Sequence, residues 1–151
     1  MLLRTLAKAI LPLVCAWARQ HEGTILRTGS PLNAEEMIMA RRAGVRHPER
    51  VRTLVVGSVP PRLPPIIRAI ANKLSWGPST TAGMALGYGI FLRADQRARP
   101  ALLIHELAHI AQYERLGFRP FLKQYVQESL TTGYPLGVLE EEAQRVARHL
   151  S

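Results

Sequence analysis

The sequence predicts an α+β fold that is mostly helical, with one small sheet, and three observations carry that expectation. Apolar residues recur at three- and four-residue spacing through most of the chain, which gathers them on single helix faces. Only two stretches, Val51 to Gly57 and Ala82 to Arg93, read as strands. Loop-forming clusters such as Gly29 to Pro31, Pro60 to Pro65 and Thr132 to Pro135 separate these segments. With 151 residues, 47% of them apolar, the chain has enough material for a single domain, residues 1–151, with a real core.

Residues 1–20 form an amphipathic helix in this reading, with Leu3, Leu6, Ile10, Leu13 and Trp17 on one face and Arg4, Lys8 and Arg19 off it. Pro12 is expected to kink that helix or to start a second one. The segment reads first as a core-packing or docking helix. Its other readings are a helix lying on a membrane surface and a signal peptide with a cleavage-like Ala16-Trp17-Ala18. The expected location is therefore the cytoplasm, with export or membrane association as the alternative. No stretch approaches the roughly 20 apolar residues that a membrane-spanning helix needs.

Residues 21–33 are polar, with Gly23, Gly29 and Pro31, and read as a loop. Asn33 followed by Glu36 is a capping box for a helix from Ala34 to Ala43 that stops at Gly44. The Val51 strand follows, then the stiff connector Pro60 to Pro65 and a helix from Ile66 to Leu74. Residues 77–81 read as a loop. The second strand region carries Gly83, Gly87 and Gly89, which suits either a hairpin turning at Gly87-Tyr88-Gly89 or an edge strand on which an extended peptide pairs. Pro100 opens a central helix that ends at Gly117. Another amphipathic helix spans Arg119 to Leu130, Thr132 to Pro135 break it, and Leu136 to Leu150 form the last.

The net charge of +9 comes from seventeen arginines and three lysines against ten glutamates and one aspartate. Nothing interleaves basic residues with aromatics, so nucleic acid is not an expected partner, and the charge reads as a solvated surface. A single cysteine, Cys15, excludes an internal disulfide and a cysteine-based metal site.

The central helix contains His105-Glu106-Leu107-Ala108-His109. Positions four apart lie one turn apart on the same helix face, so both imidazoles can point at one metal ion. Glu106 sits about 100° around, placed to take a proton from water at that ion. Shuffling this composition would give the pattern roughly once in a hundred trials, so its setting matters. The helix is apolar nearly all round, and an unpaired buried polar group costs about 1–3 kcal/mol, which a metal relieves. Hydrogen-bonded core histidines are the competing reading. Gln112 shares the histidine face and is expected to hydrogen-bond a ligand. His21, His47 and His149 read as surface residues.

Catalytic zinc takes three protein ligands and keeps one position open. Position 115 is Arg, so no third histidine follows at the usual spacing, and Glu140-Glu141-Glu142 supply the candidates. Leu139, Ala143, Val146, Ala147 and Leu150 define the inward stripe of that helix. Glu140 lies nearest to it, Glu142 next, and Glu141 almost opposite. Tyr134, in the break before this helix, could donate its hydroxyl to a developing oxyanion or simply pack in the turn.

These residues resemble a small gluzincin, the zinc metallopeptidase class with H-E-x-x-H and a downstream glutamate ligand. The likeness is to short bacterial domains reading H-E-L-x-H-x-x-Q, here His105 to Gln112, with a glycine-containing strand upstream at Gly87-Tyr88-Gly89-Ile90 and E-x-E-A downstream at Glu140 to Ala143. It covers residues 80–150 and implies a zincin-like core there. It further implies a zinc ion held by His105, His109 and Glu140, with Glu106 as general base and a peptide or protein as substrate. Two positions depart from the class: Gln144 stands where an aspartate often orients the first histidine, and Leu139 stands where an asparagine often precedes the glutamate. A zinc site that only holds the fold, or that serves protein interaction, is the alternative expectation.

Overall fold

The structure, a computed structural model, describes residues 1–74, 81–134 and 136–151. It is α+β and mostly helical, as the sequence predicts. In chain order the elements are α1 (Leu2–Thr28), β1 (Ser30–Pro31), α2 (Ala34–Arg42), β2 (Arg52–Val56) and α3 (Pro65–Lys73). They continue with β3 (Gly83–Leu86), β4 (Gly89–Arg93), α4 (Pro100–Leu116), α5 (Phe118–Glu128) and α6 (Val138–Leu150). A π-helical turn, Ser129–Gly133, follows α5, so the helix expected to reach Leu130 changes winding after Glu128. The loop expected at residues 77–81 lies outside the described residues except for Thr81.

The four strands run in the order β1-β2-β4-β3. Strands β3 and β4 form the antiparallel hairpin, while β2 pairs β4 in parallel, Thr53 opposite Ile90 and Leu54 opposite Phe91. Gly89, Ile90, Phe91 and Leu92 are all buried, which fits a central strand covered on both faces. The predicted hairpin forms, and β3 is the outer strand of the sheet. It packs on α4, where the Tyr113 hydroxyl donates to the Ala85 carbonyl at 3.2 Å.

Helix α1 departs most from expectation. It is one continuous helix to Thr28, through Pro12 and through most of the predicted loop. Pro12 is exposed, so water can take the carbonyl that the ring leaves unbonded. The residues beyond position 20 are weak helix formers, but Glu22 and Ile25 are buried and packing outweighs propensity. Thr24 and Thr28 also bond back to the carbonyls one turn earlier. The buried face is Ala7, Ile10, Leu11, Ala18, Glu22 and Ile25, whereas Leu3 and Leu13, expected on it, are exposed. Among the described residues no helix is long and apolar enough to cross a membrane.

Two acids, Glu22 buried and Glu114 partly buried, fasten this frame. Glu22 accepts from the Tyr88 amide at 2.9 Å and from Arg19 at 3.1 Å. Glu114 accepts from the amides of Arg46 and His47 and from the Tyr88 hydroxyl at 2.8 Å. Asn33 and Glu36 form the predicted capping box of α2. The Glu128 carboxylate takes the Leu139 amide at 3.0 Å, satisfying an orphan donor at the start of α6.

Gly87 has φ +64°, and a side chain there would run into the Glu22 carboxylate. Gly87→Ala is therefore expected to lower stability by about 2 kcal/mol or more, from left-handed strain plus loss of the Glu22 bond. Urea unfolding midpoints of the variant and the parent chain check this.

Candidate metal centre

Helix α4 is buried along most of its length, as a central helix must be when Leu103, Ile104, Leu107 and Ile110 surround its polar face. His105 and His109 stand one turn apart with ring centroids 4.9 Å from each other. Glu140, from the first turn of α6, reaches between them. Its Oε2 lies 3.0 Å from His105 Nε2 and its Oε1 lies 3.0 Å from His109 Nε2. Single donor atoms of His105, His109 and Glu140 fall within 4.8 Å of one another, close enough for one metal ion. His109 and Glu140 are buried, and His105 is partly exposed.

The seam between α4 and α6 explains why Glu140 is the glutamate that arrives. Gln112 Nε2 donates to the Leu139 carbonyl at 3.0 Å, which fixes the residue just before it. Glu142 is turned away from the histidines. It accepts from Arg115 at 3.1 Å and from Gln112 at 3.3 Å, so it belongs to the seam. Glu141 is exposed. Of the three, Glu140, ranked first from the helix stripe, is the one that lies against the histidines.

Gln112 also sets the chemistry of His109. With its amide nitrogen committed to Leu139, its Oε1 faces His109 Nδ1 at 2.8 Å as an acceptor. His109 therefore donates Nδ1–H, and its Nε2 lone pair is left pointing at the Glu140 carboxylate. Two acceptors 3.0 Å apart require a proton or a cation between them. This donor set fits a divalent transition ion: two imidazole nitrogens, one carboxylate, and one nitrogen oriented by a neighbouring acceptor.

Burial opposes ionisation of Glu140, but the hydrogen bonds and charges of His105 and His109 hold its carboxyl well below the usual range. Glu106 is in the contrary position. Burial pushes it up to about 7; His105 pulls it down, Glu140 pushes it up, and the Ala85 amide pulls it down. Two acids in one site are thereby driven apart in proton affinity. Gly83 matters here, since a Cβ at that position would come within 2.9 Å of Glu106 Oε1. At this position the glycine makes room for the Glu106 side chain.

Tyr134 lines the same cleft, and burial together with the Glu140 and Glu106 charges holds its hydroxyl protonated well above the ordinary tyrosine range. Tyr125 was not singled out by the sequence, yet its hydroxyl donates to Glu140 Oε1 at 2.7 Å. A signal existed: Phe118, Phe121, Leu122 and Tyr125 share one face of α5, and a tyrosine on a buried face must find a partner. His21 is not a surface residue. It is half-buried against the rings of Trp17 and Phe91, 4.8 and 5.9 Å away, because α1 continues past the predicted loop. His47 and His149 are exposed, as expected.

The centre opens into a cleft between α1, α3, β3 and the turn after α5.

If the triad takes a divalent ion, adding one to the metal-free chain at 100 times Kd should raise the unfolding temperature by roughly 5–10 °C. His109→Ala should abolish that rise and His149→Ala should keep it, as read by differential scanning calorimetry. Compared with known protein families, curated proteins and solved structures, the chain shows no significant match, so what this centre does must be argued from its own atoms.

Proposed function

We propose that the chain is a zinc-dependent peptidase of the small gluzincin kind, with His105, His109 and Glu140 as the ligands. One observation carries the reading. Three donors of suitable type converge at the floor of an open cleft, and a separate buried carboxylate, Glu106, stands beside them. Zinc bound there supplies Lewis acidity, making water more acidic and an amide carbonyl more electrophilic.

The remaining work falls to the chain. Glu106 takes the proton of the attacking water on its carboxylate and delivers it to the leaving amine nitrogen. A proton affinity raised by burial suits a group that must both accept and return a proton. The Tyr134 hydroxyl donates to the carbonyl oxygen as that atom gains charge. Gln112 keeps His109 in the ligating tautomer, and Tyr125 steadies Glu140 from the side away from Gln112. The free edge of β3, which lines the cleft, pairs with the backbone of an extended peptide or protein substrate. The cytoplasm stays the proposed location, with export or membrane contact through residues 1–20 as the variant of it.

A second reading is favoured by a specific observation. Glu140 already bonds both imidazoles and Tyr125, so a protonated histidine could satisfy the triad without any metal chemistry. A centre that ties α4 to α6 in this way suits a non-catalytic structural or interaction module, whose zinc would hold the fold and do no chemistry.

Glu106→Gln separates the two. Under the peptidase reading it keeps stoichiometric zinc by elemental analysis and loses about 10²–10⁴-fold in hydrolysis of a mixed peptide library. Equal hydrolysis by the variant would remove Glu106 from the base role. A zinc-loaded parent chain that cleaves nothing in the library, yet unfolds on chelation, would establish the module instead.

A further inference from the structure

Among the polar groups of the cleft that the proposed chemistry leaves unused, Thr81 stands out. Thr81 is 3% exposed and lines the cleft just before β3. Its carbonyl accepts from Arg93 Nη1 at 3.0 Å, and the next carbonyl, of Ala82, accepts the Arg93 amide at 2.8 Å. The backbone at this point is thus pinned to the end of β4. The hydroxyl is not: among the described residues, Thr81 Oγ1 is the buried side-chain polar atom without a hydrogen-bond partner. Proteins rarely leave such an atom unmatched, because an apolar residue of the same shape would be more stable.

The rest of the cleft is apolar to an unusual degree for so arginine-rich a chain. Its ionisable acids, bases and imidazoles, among the described residues, are Glu106, Glu140, His105 and His109, all at the metal end. Away from that end the walls are Ile10 and Val14 of α1, Ile67 and Ile70 of α3, and Val126 and Leu130 opposite. A charged side chain entering here would lose its water and meet no partner. The apolar walls come from α1, α3 and the turn after α5, so an apolar segment lying in the open cleft is flanked from several sides. Both roofing helices lie within the first 74 residues, outside the part of the chain that carries the gluzincin resemblance.

We propose that this site takes a peptide segment with several consecutive uncharged apolar residues, seated between α1, α3 and the α5 turn, and that the Thr81 hydroxyl hydrogen-bonds one of its backbone groups. The substrate class rests on the peptidase reading; the ligand class of the cleft does not. Thr81 is a positioning residue, apart from the reacting atoms.

The test uses the full zinc-loaded chain carrying Glu106→Gln, so that binding is read without turnover. Fluorescence anisotropy would compare a fluorescein-labelled hexapeptide of leucine, valine and phenylalanine with one of equal length carrying lysine or aspartate at alternate positions. The apolar probe should bind at least about tenfold more tightly. Adding Thr81→Val should weaken it about fivefold to tenfold while leaving the unfolding temperature of the free protein unchanged or raised, and Thr81→Ser should restore binding. Ile67→Asn should weaken it and Ile67→Leu should not. Equal binding of charged and apolar probes would overturn the proposal. So would a Thr81→Val chain that unfolds earlier and binds as before, since the hydroxyl would then serve the fold. In the parent chain, apolar peptide that is bound but never cleaved removes hydrolysis and keeps the ligand class. Cleavage with no apolar preference does the reverse.

Discussion

The carboxylate of Glu140 between two imidazoles is the contact on which the arrangement turns. It joins α4 to α6, the two most closely packed helices of the chain, through groups that would be costly to bury alone. Its atoms are tied further into the surrounding helices. Gln112 takes the far nitrogen of His109 and the Leu139 carbonyl, and Tyr125 takes a second lone pair on Glu140. A network this complete fixes one register between the helices, because sliding α6 by a residue would strand several buried groups at once.

The same logic holds at the opposite side of α4. There Glu114 and Glu22 gather amides from the loop after α2 and from the β3–β4 turn. Apolar packing brings α1, the sheet and α4 together, and these acids decide how they are aligned. The centre and the alignment are independent sets of bonds sharing one helix, so the histidine face can be organised for chemistry while the other face holds the fold.

The sequence made the centre legible because its information is local. His105, Glu106, His109 and Gln112 lie within two helical turns, and the choice of Glu140 over Glu142 follows from a stripe only twelve residues long. Tyr125 escaped notice because its role depends on where α5 lies against α6, which no periodicity records. The length of α1 was misjudged for a related reason. Gly23, Thr24 and Thr28 read as a loop until Ile25 is known to be buried under the sheet. The capping box at Asn33 was readable, being local; the acids at 22 and 114 look like ordinary surface charges until their distant amide partners are in view.

Helix α1 also has a mechanical meaning. At 1.5 Å per residue its 27 residues make a rod about 40 Å long. Its far half is clamped by Glu22 and Ile25, and its near half carries Ile10 and Val14 over the opening, about 12 to 18 Å from the Glu22 clamp along the axis. Pro12, between Ile10 and Val14, removes the rung to the Lys8 carbonyl. The aperture is therefore set by a lever whose fulcrum lies on the opposite side of the molecule and whose stiffness is lowest just where the roof begins.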